Sequence, residues 1–368
     1  MKIYYNCTSL HKWTRKPSGI QRVVEEIGRS FELSGSGVMP CIFLPDGQCR
    51  AYGVSRREVG EQLILSTQDI IFSAGHDWDY LPELDVLKSY VKKGVKFGCL
   101  FHDTIPTRFP FTYTADFVER FSSWLSWAID ASQVNFAVSR NTASDLETYA
   151  RSQSISFEHI SVVRLGDDFS RSSGDVVPTS KVDNGDFILS VGTIEFRKNH
   201  QILLGAYRHI IDELNLQPPK LVIVGRESRF DGGLRKQIEA DMRLRDLVTI
   251  VSGLGDDELI ALYQAAMFTV YPSIYEGWGL PVVESLRQGK PCVVSNTSSM
   301  LEIAPALTRF AHPLVAKEWA EHIADLMDGA SRALEMTQIR QQYSHSTWDT
   351  TTSSILDAFR KTFPGIDQ

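Results

Sequence analysis

A chain of 368 residues is too long for one ordinary core and suits two domains of common size. Hydrophobic residues at 43% and charged ones at 23% mark a globular protein, and no stretch approaches the ~20 consecutive apolar residues that span a bilayer. The formal net charge of −7 argues against nucleic acid as principal partner, while leaving room for a local basic pocket that takes a small phosphate-bearing ligand.

The amino-terminal "MKIYYNCTSLHKWTRKPSG" breaks its only apolar run at Asn6 and shows no small-residue cleavage site, so a cytoplasmic location is expected. Strands are predicted at "KIYYNC", "GVMPCIFL", "DIIFSAG", "KFGCLFHD" and "VNFAVS", with helices over residues 20–33 and 114–131. The five cysteines are scattered, mostly within these apolar runs, and read as buried reduced thiols. "DDFSRSSGDVVPTSKVDNG", residues 167–185, has the composition of a linker and sets the domain boundary.

From Asp186 onward strand and helix patterns alternate. "DFILSVG" is a strand, Asn199 is placed to cap a helix bearing Ile202, Leu203, Ala206, Tyr207, Ile210 and Ile211 on one face, and "KLVIVG" is the next strand. "VTIVSG" then leads to a helix starting near Asp256 and Asp257, and "MFTVYPS" returns as a strand. Such repeated units imply an α/β fold with parallel sheets covered on both faces. A short helix over residues 281–288 follows, with Pro281 in its first turn, Gly289 ending it in a left-handed conformation and Pro291 forbidding its resumption.

Glu276 lies in the loop before that helix and Glu284 within it, bracketing "GWGL". Bare backbone amides at the positive end of a helix dipole form an anion site, and in an open parallel sheet ligands collect at the carboxyl ends of strands. A phosphate explains the amides. Carboxylates beside a phosphate need hydroxyls to accept from, and a sugar nucleotide carries hydroxyls on both flanks of its diphosphate. "VGTIEFRKNH" sits at the end of another predicted strand and offers Arg197 and Lys198 as diphosphate partners; the bland alternative is a solvated basic pair.

"EGWGLPVVE" resembles the E-x7-E signature of retaining glycosyltransferases of the GT-B fold, most closely family 4 of those enzymes, the glycosyl transferases group 1. "VGTIEFRKN" resembles that family's diphosphate loop, and the order of "SGLGDDELIALYQAAMFTVYPSIYEGWGLP" resembles its donor domain. The likeness is to bacterial mannosyl- and rhamnosyltransferases of surface-polysaccharide assembly. It implies two facing Rossmann-like domains: residues 1–170 for the acceptor, 186–345 for the donor, and a helix over 346–368 crossing back to the first domain.

The resemblance further implies Glu276 against the donor sugar and Glu284 on the ribose. Gly277, Trp278, Gly279, Leu280, Gly192, Thr193, Gly225 and Arg226 would line the nucleotide-sugar site, and Gly19 of "KPSGIQRVV" and His102 of "CLFHDTIP" would reach it from the first domain. Thr193 stands where the family often has Arg, and Trp278 replaces the commoner phenylalanine. The expected co-substrate is a GDP-, dTDP- or UDP-sugar, and no metal is required. The acceptor is a saccharide or lipid-linked saccharide, with peripheral contact at the inner membrane surface an open expectation. An epimerase or hydrolase on the same fold, and a silent sugar-nucleotide-binding scaffold, are the rival readings.

Two further motifs have a functional and a bland reading. Asp77 and Asp79 in "HDWDY" have the spacing of a D-x-D metal motif, or of an ordinary turn. The aromatic run over residues 107–131 suits a lipid-linked acceptor, or core packing at helical spacing.

Overall fold

The computed structural model describes residues 1–14, 19–156, 160–168, 185–228 and 232–366, so most of the polar stretch at 167–185 and Lys16 to Ser18 of the glycine loop lie outside the described residues. The chain forms two compact units, Met1–Gly166 with Ser346–Gln368, and Asp167–His345.

The first unit carries β1 (Ile3–Asn6), β2 (Met39–Phe43), β3 (Cys49–Gly53), β4 (Glu58–Leu63), β5 (Ile70–Ser73), β6 (Lys96–Phe101), β7 (Val134–Ala137) and β8 (Ile160–Val162). Their order is β4-β3-β2-β1-β5-β6-β7-β8. β2, β1, β5, β6, β7 and β8 pair in parallel, and β3 and β4 add an antiparallel hairpin at one edge. That hairpin escapes the apolar-run criterion because an edge strand buries little: five of the six residues of "EVGEQL" are exposed.

The second half of the aromatic run packs as core, with Phe121, Trp124, Leu125 and Ile129 buried on the helix Ala115–Ala131, while Phe111 in its first half is exposed. The closing helix Trp348–Thr362 belongs to this unit. Its Phe359 is fully buried between Phe72 and Phe136, with ring centroids 5.5 and 5.3 Å away. Gly98 makes room for it, since a Cβ there would stand 2.7 Å from the Phe359 ring. Asp349 accepts a 2.6 Å hydrogen bond from Ser30 Oγ, tying the helix to the helix Ile20–Ser34.

The second unit carries β9 (Phe187–Val191), β10 (Lys220–Val224), β11 (Val248–Val251), β12 (Thr269–Tyr271), β13 (Cys292–Ser295) and β14 (Arg309–Ala311). All pair in parallel in the order β11-β10-β9-β12-β13-β14. Alternate residues feed two cores: Ile188, Leu221 and Ile223 pack with the helices His200–Asp212 and Ala316–Met327, while Phe187, Leu189, Val222 and Val224 pack with Leu262 and Tyr263. The chain leaves β9 toward β10 and β11, then returns to β12 on the other side of β9 and continues outward. In an open parallel sheet such a reversal, here at the carboxyl ends of β9 and β12, is where ligands collect. The five cysteines are buried and free, and among the described residues no helix is long and apolar enough to cross a membrane.

Candidate functional site

The loops leaving β9 and β12 meet at that reversal. After β9 the chain makes a 3-10 turn over Phe196–Lys198 and enters the helix His200–Asp212. After β12 it runs through Ser273 and Glu276 into the helix Leu280–Arg287. The two loops are stitched by the backbone: Ile274 N donates to Arg197 O at 2.8 Å. Asn199 adopts a left-handed φ of 56° at the head of its helix but does not cap it. Its side-chain amide instead donates to Pro272 O at 3.1 Å and Pro313 O at 2.7 Å, so a residue read as a local cap serves as a tertiary tie.

Glu276 is the centre of the site. Its Oε1 takes hydrogen bonds from Lys198 Nζ at 2.5 Å, Ser273 Oγ at 2.5 Å and Tyr271 Oη at 2.9 Å, and Arg197 Nη1 stands 2.8 Å from the same oxygen. Lys198 also donates to Tyr271 Oη at 2.8 Å, and Arg197 donates to Tyr275 O at 2.8 Å and Glu195 Oε1 at 2.7 Å. The result is a chain of alternating charge, Glu195, Arg197, Glu276, Lys198. Arg197 and Lys198 are therefore not a solvated pair, because a buried carboxylate lies between them. Burial pushes the Glu276 carboxyl upward, but Arg197 and Lys198 outweigh it and hold the group down at about 2. Burial likewise lowers the Lys198 ammonium, against the pull of Glu276.

The surrounding backbone is fixed by serines absent from the predicted set. Ser298 Oγ accepts from Glu276 N at 3.0 Å, and Ser299 Oγ lies 2.9 Å from Glu276 O and 2.5 Å from Trp278 O. Gly277 and Gly279 are buried, while Trp278 and Leu280 are half-buried and pack against the apolar cluster around Val282 and Ile303. A Cβ on Gly279 would come within 2.9 Å of Ile303.

Glu284 sits in the second turn of the helix Leu280–Arg287, 4% exposed, and its Oε2 accepts from Tyr263 Oη at 2.8 Å. Gly192 is beside Lys198, and Gly225 permits the approach of two strand ends, because a Cβ there would fall 1.8 Å from Gly192 O. Thr193 is half-buried and Arg226 is exposed; Arg226 O accepts from Ile194 N at 2.9 Å.

His102 and Gly19 are in the first unit. His102 Nε2 is 2.7 Å from Ala74 O and so carries the proton, and burial lowers its pKa to about 4. Gly19 precedes the helix Ile20–Ser34 with a φ of 57° and open space around its Cα, so its left-handed backbone accounts for the glycine. Asp77 is buried and accepts from Ser73 Oγ at 2.6 Å and Asn6 Nδ2 at 3.0 Å, and Asp79 faces Arg120 at 3.8 Å. The D-x-D pair thus splits into two structural roles.

Residues 176–343 match the family Glycosyl transferases group 1. The matched residues lie within the second unit. The chain is 31% identical over 175 residues to O-antigen chain mannosyltransferase B of Escherichia coli, covering 47% of this chain and 45% of that protein. It is 25% identical over 315 residues to the serotype-specific mannosyltransferase WbdA of Escherichia coli, covering 78% and 38%. The chain spans less than half the length of either of these curated relatives. The crystal structure of Anabaena HepE in complex with UDP and glucose superposes with a TM-score of 0.68 at 15% identity, over 98% of this chain and 99% of that one. The fold is GT-B.

Proposed function

We propose that the chain is a retaining glycosyltransferase that moves a hexose or deoxyhexose, mannose first and rhamnose second, from a nucleotide diphosphate sugar to a saccharide or lipid-linked saccharide in bacterial polysaccharide assembly. The observation that carries this is the ionised Glu276 at the β9/β12 reversal of a group 1 glycosyltransferase domain, an acceptor for hydroxyls placed where an open sheet binds its ligand. Mannose leads because the curated relatives are named mannosyltransferases, and a GDP-linked donor goes with it.

In this reading the ribose hydroxyls meet Glu284 and the donor sugar meets Glu276. Lys198 spends two of its three N–H donors on Glu276 and Tyr271, which leaves one for the leaving diphosphate. The helix N-terminus after Gly279 supplies further positive potential as that charge develops. Retention follows if the acceptor attacks from the face the diphosphate leaves, its hydroxyl proton passing to a phosphate oxygen.

A thermal-shift screen across GDP, UDP and dTDP, followed by NMR of the product formed from the matching sugar nucleotide, tests the reading. It predicts a stabilising shift with one nucleotide and an anomeric configuration equal to the donor's. Nucleotide release without a glycosylated product would point to a hydrolase or epimerase instead.

A further inference from the structure

The four donors around Glu276 all fall on one oxygen. Lys198, Ser273, Tyr271 and Arg197 converge on Oε1, and among the described residues Oε2 takes no hydrogen bond. Such one-sidedness is unusual for a residue only 8% exposed, because a buried carboxylate ordinarily divides its donors between its two oxygens. It arises from where the strand ends. Tyr271 is the last residue of β12 and Ser273 stands two residues on, both buried, at 3% and 0% exposure. The Tyr271 hydroxyl accepts from Lys198 and donates to Glu276, so the phenol passes the cation's field to the carboxylate while fixing its angle. Ser273 Oγ is 2.5 Å from Glu276 Oε1 and 3.2 Å from Arg197 O, so its single hydrogen goes to the carboxylate.

We infer that Tyr271 and Ser273 are positioning residues that turn Glu276 into a one-sided acceptor, with Oε2 reserved for a hydroxyl of the transferred sugar. The inference rests on the donor-sugar reading of this site and goes beyond it by assigning the two residues and the ligand-facing atom. An ionised Oε2 accepts and never donates, so it takes an O–H and repels a phosphate oxygen. The group that meets it is thus a neutral hydroxyl, and discrimination among donor sugars depends on the clamp that aims Oε2. A site built to hydrogen-bond one hydroxyl rejects the analogue lacking it by as much as ~10⁴-fold.

The experiment uses the full chain as wild type, Tyr271→Phe, Ser273→Ala and Ser273→Thr, each checked for folding by circular dichroism. Monodeoxy analogues of whichever sugar nucleotide the wild type turns over are compared by kcat/KM. The wild type should reject one analogue strongly. Tyr271→Phe and Ser273→Ala should each cut that rejection by ~10-fold or more, with kcat falling more than KM, and Ser273→Thr should restore it. Affinity for the nucleoside diphosphate alone, read by calorimetry, should stay within ~3-fold. Unchanged discrimination in both variants, or a loss of nucleotide affinity equal to the loss of turnover, overturns the assignment.

A second readout needs no substrate. With carbon-13 in the glutamate carboxyls, Glu276 identified by its absence in Glu276→Gln should keep its ionised shift through the ordinary carboxylate range in the wild type and titrate at higher pH in both clamp variants. No change there also overturns the clamp. If the wild type turns over no sugar nucleotide, the functional reading fails while this titration still decides whether Tyr271 and Ser273 hold the carboxylate.

Discussion

Both sheets reverse direction beside their first strand, β1 in one unit and β9 in the other, and each reversal buries a carboxylate near the carboxyl ends of its strands. Glu276 and Asp77 are comparably enclosed, at 8% and 4% exposure. Their acidities diverge. Burial raises Asp77 to about 6, because its partners Ser73 and Asn6 are neutral donors. Burial acts on Glu276 in the same direction, yet Arg197 and Lys198 bring it to about 2. His76 and His102 are lowered to about 4, chiefly by burial, so at neutral pH they stay uncharged and give the Asp77 anion no cation. A buried charge is held down in pKa where countercharge is delivered with it, and of these two carboxylates Glu276 has it and Asp77 does not.

The largest effect should come from neutralising the two carboxylates. Glu276→Gln leaves the buried Arg197 and Lys198 without their shared anion, and breaking such a cluster costs about 3–5 kcal/mol. Asp77→Asn removes a charge that no cation balances, keeps hydrogen-bonding capacity, and should change stability by about 1 kcal/mol or less. Urea denaturation at neutral pH compares them; equal losses would dissolve the contrast. The next effect is kinetic. Lys198→Met should lower turnover by ~100-fold, on the scale of removing a positioned charge stabiliser. Because Lys198 contacts Glu276 directly, the double variant with Glu276→Gln should be little worse than Glu276→Gln alone, and additive losses would place Lys198 on the diphosphate independently of the glutamate.

Much of the fold was legible because its central strands are continuous apolar runs. "DFILSVG", "KLVIVG", "VTIVSG" and "MFTVYPS" contain β9 to β12, and the helix Leu280–Arg287 lies within one residue of the bounds that Pro281 and Gly289 suggest. The hairpin β3/β4 was not legible, since its edge strand carries mostly exposed polar residues. At the site, residue types and spacing singled out Glu276, Arg197 and Lys198, but not that the cations bind the glutamate. That depends on the 3-10 turn Phe196–Lys198 aiming both side chains at the neighbouring loop. Tyr271 and Ser273 were hidden for another reason: a tyrosine ending a strand reads as core, and nothing local marks its hydroxyl as a relay. Ser298 and Ser299 act through the backbone of a loop some twenty residues earlier, a link no spacing rule captures.

Acid should expose the same contrast more gently. Between pH 6.5 and about 4 the unfolded chain binds protons that native His76 and His102 refuse, and His200, lowered to about 3 by burial and by Lys198, extends that loss further. Stability therefore falls as pH drops through this window. Asp77 works the other way: native Asp77 takes up its proton near 6, before the unfolded chain does, and regains stability down to the ordinary value of 3.8. Glu276 contributes only below 4.5, where its depressed pKa makes stability fall again. Each histidine should cost on the order of 1–2 kcal/mol between neutral pH and pH 5. Denaturation midpoints should decline over that range, and Asp77→Asn should decline more steeply than the wild type because the opposing term is gone. A flat wild-type profile would show that the histidines are hydrated in solution.

The smallest expected effect is that of removing divalent ions, and it bears on the same two carboxylates. A D-x-D metal site needs both aspartates to present oxygens to one ion. Here Asp77 gives both of its oxygens to Ser73 and Asn6, and Asp79 is turned toward Arg120. Recruiting either would leave buried donors or a guanidinium unmatched, at a cost of about 1–3 kcal/mol for each neutral group stranded. At the other reversal, under the proposed function, the remaining N–H of Lys198 and the helix N-terminus after Gly279 supply positive potential where a diphosphate would leave. Turnover with the matching sugar nucleotide should therefore be unchanged by EDTA, and magnesium or manganese added afterwards should alter kcat by no more than ~2-fold, less than 0.5 kcal/mol of barrier. Activity abolished by EDTA and restored by either metal would mean that Asp77 gives up Ser73 and Asn6 when substrate binds, and that its unbalanced charge acquires its countercharge as an ion.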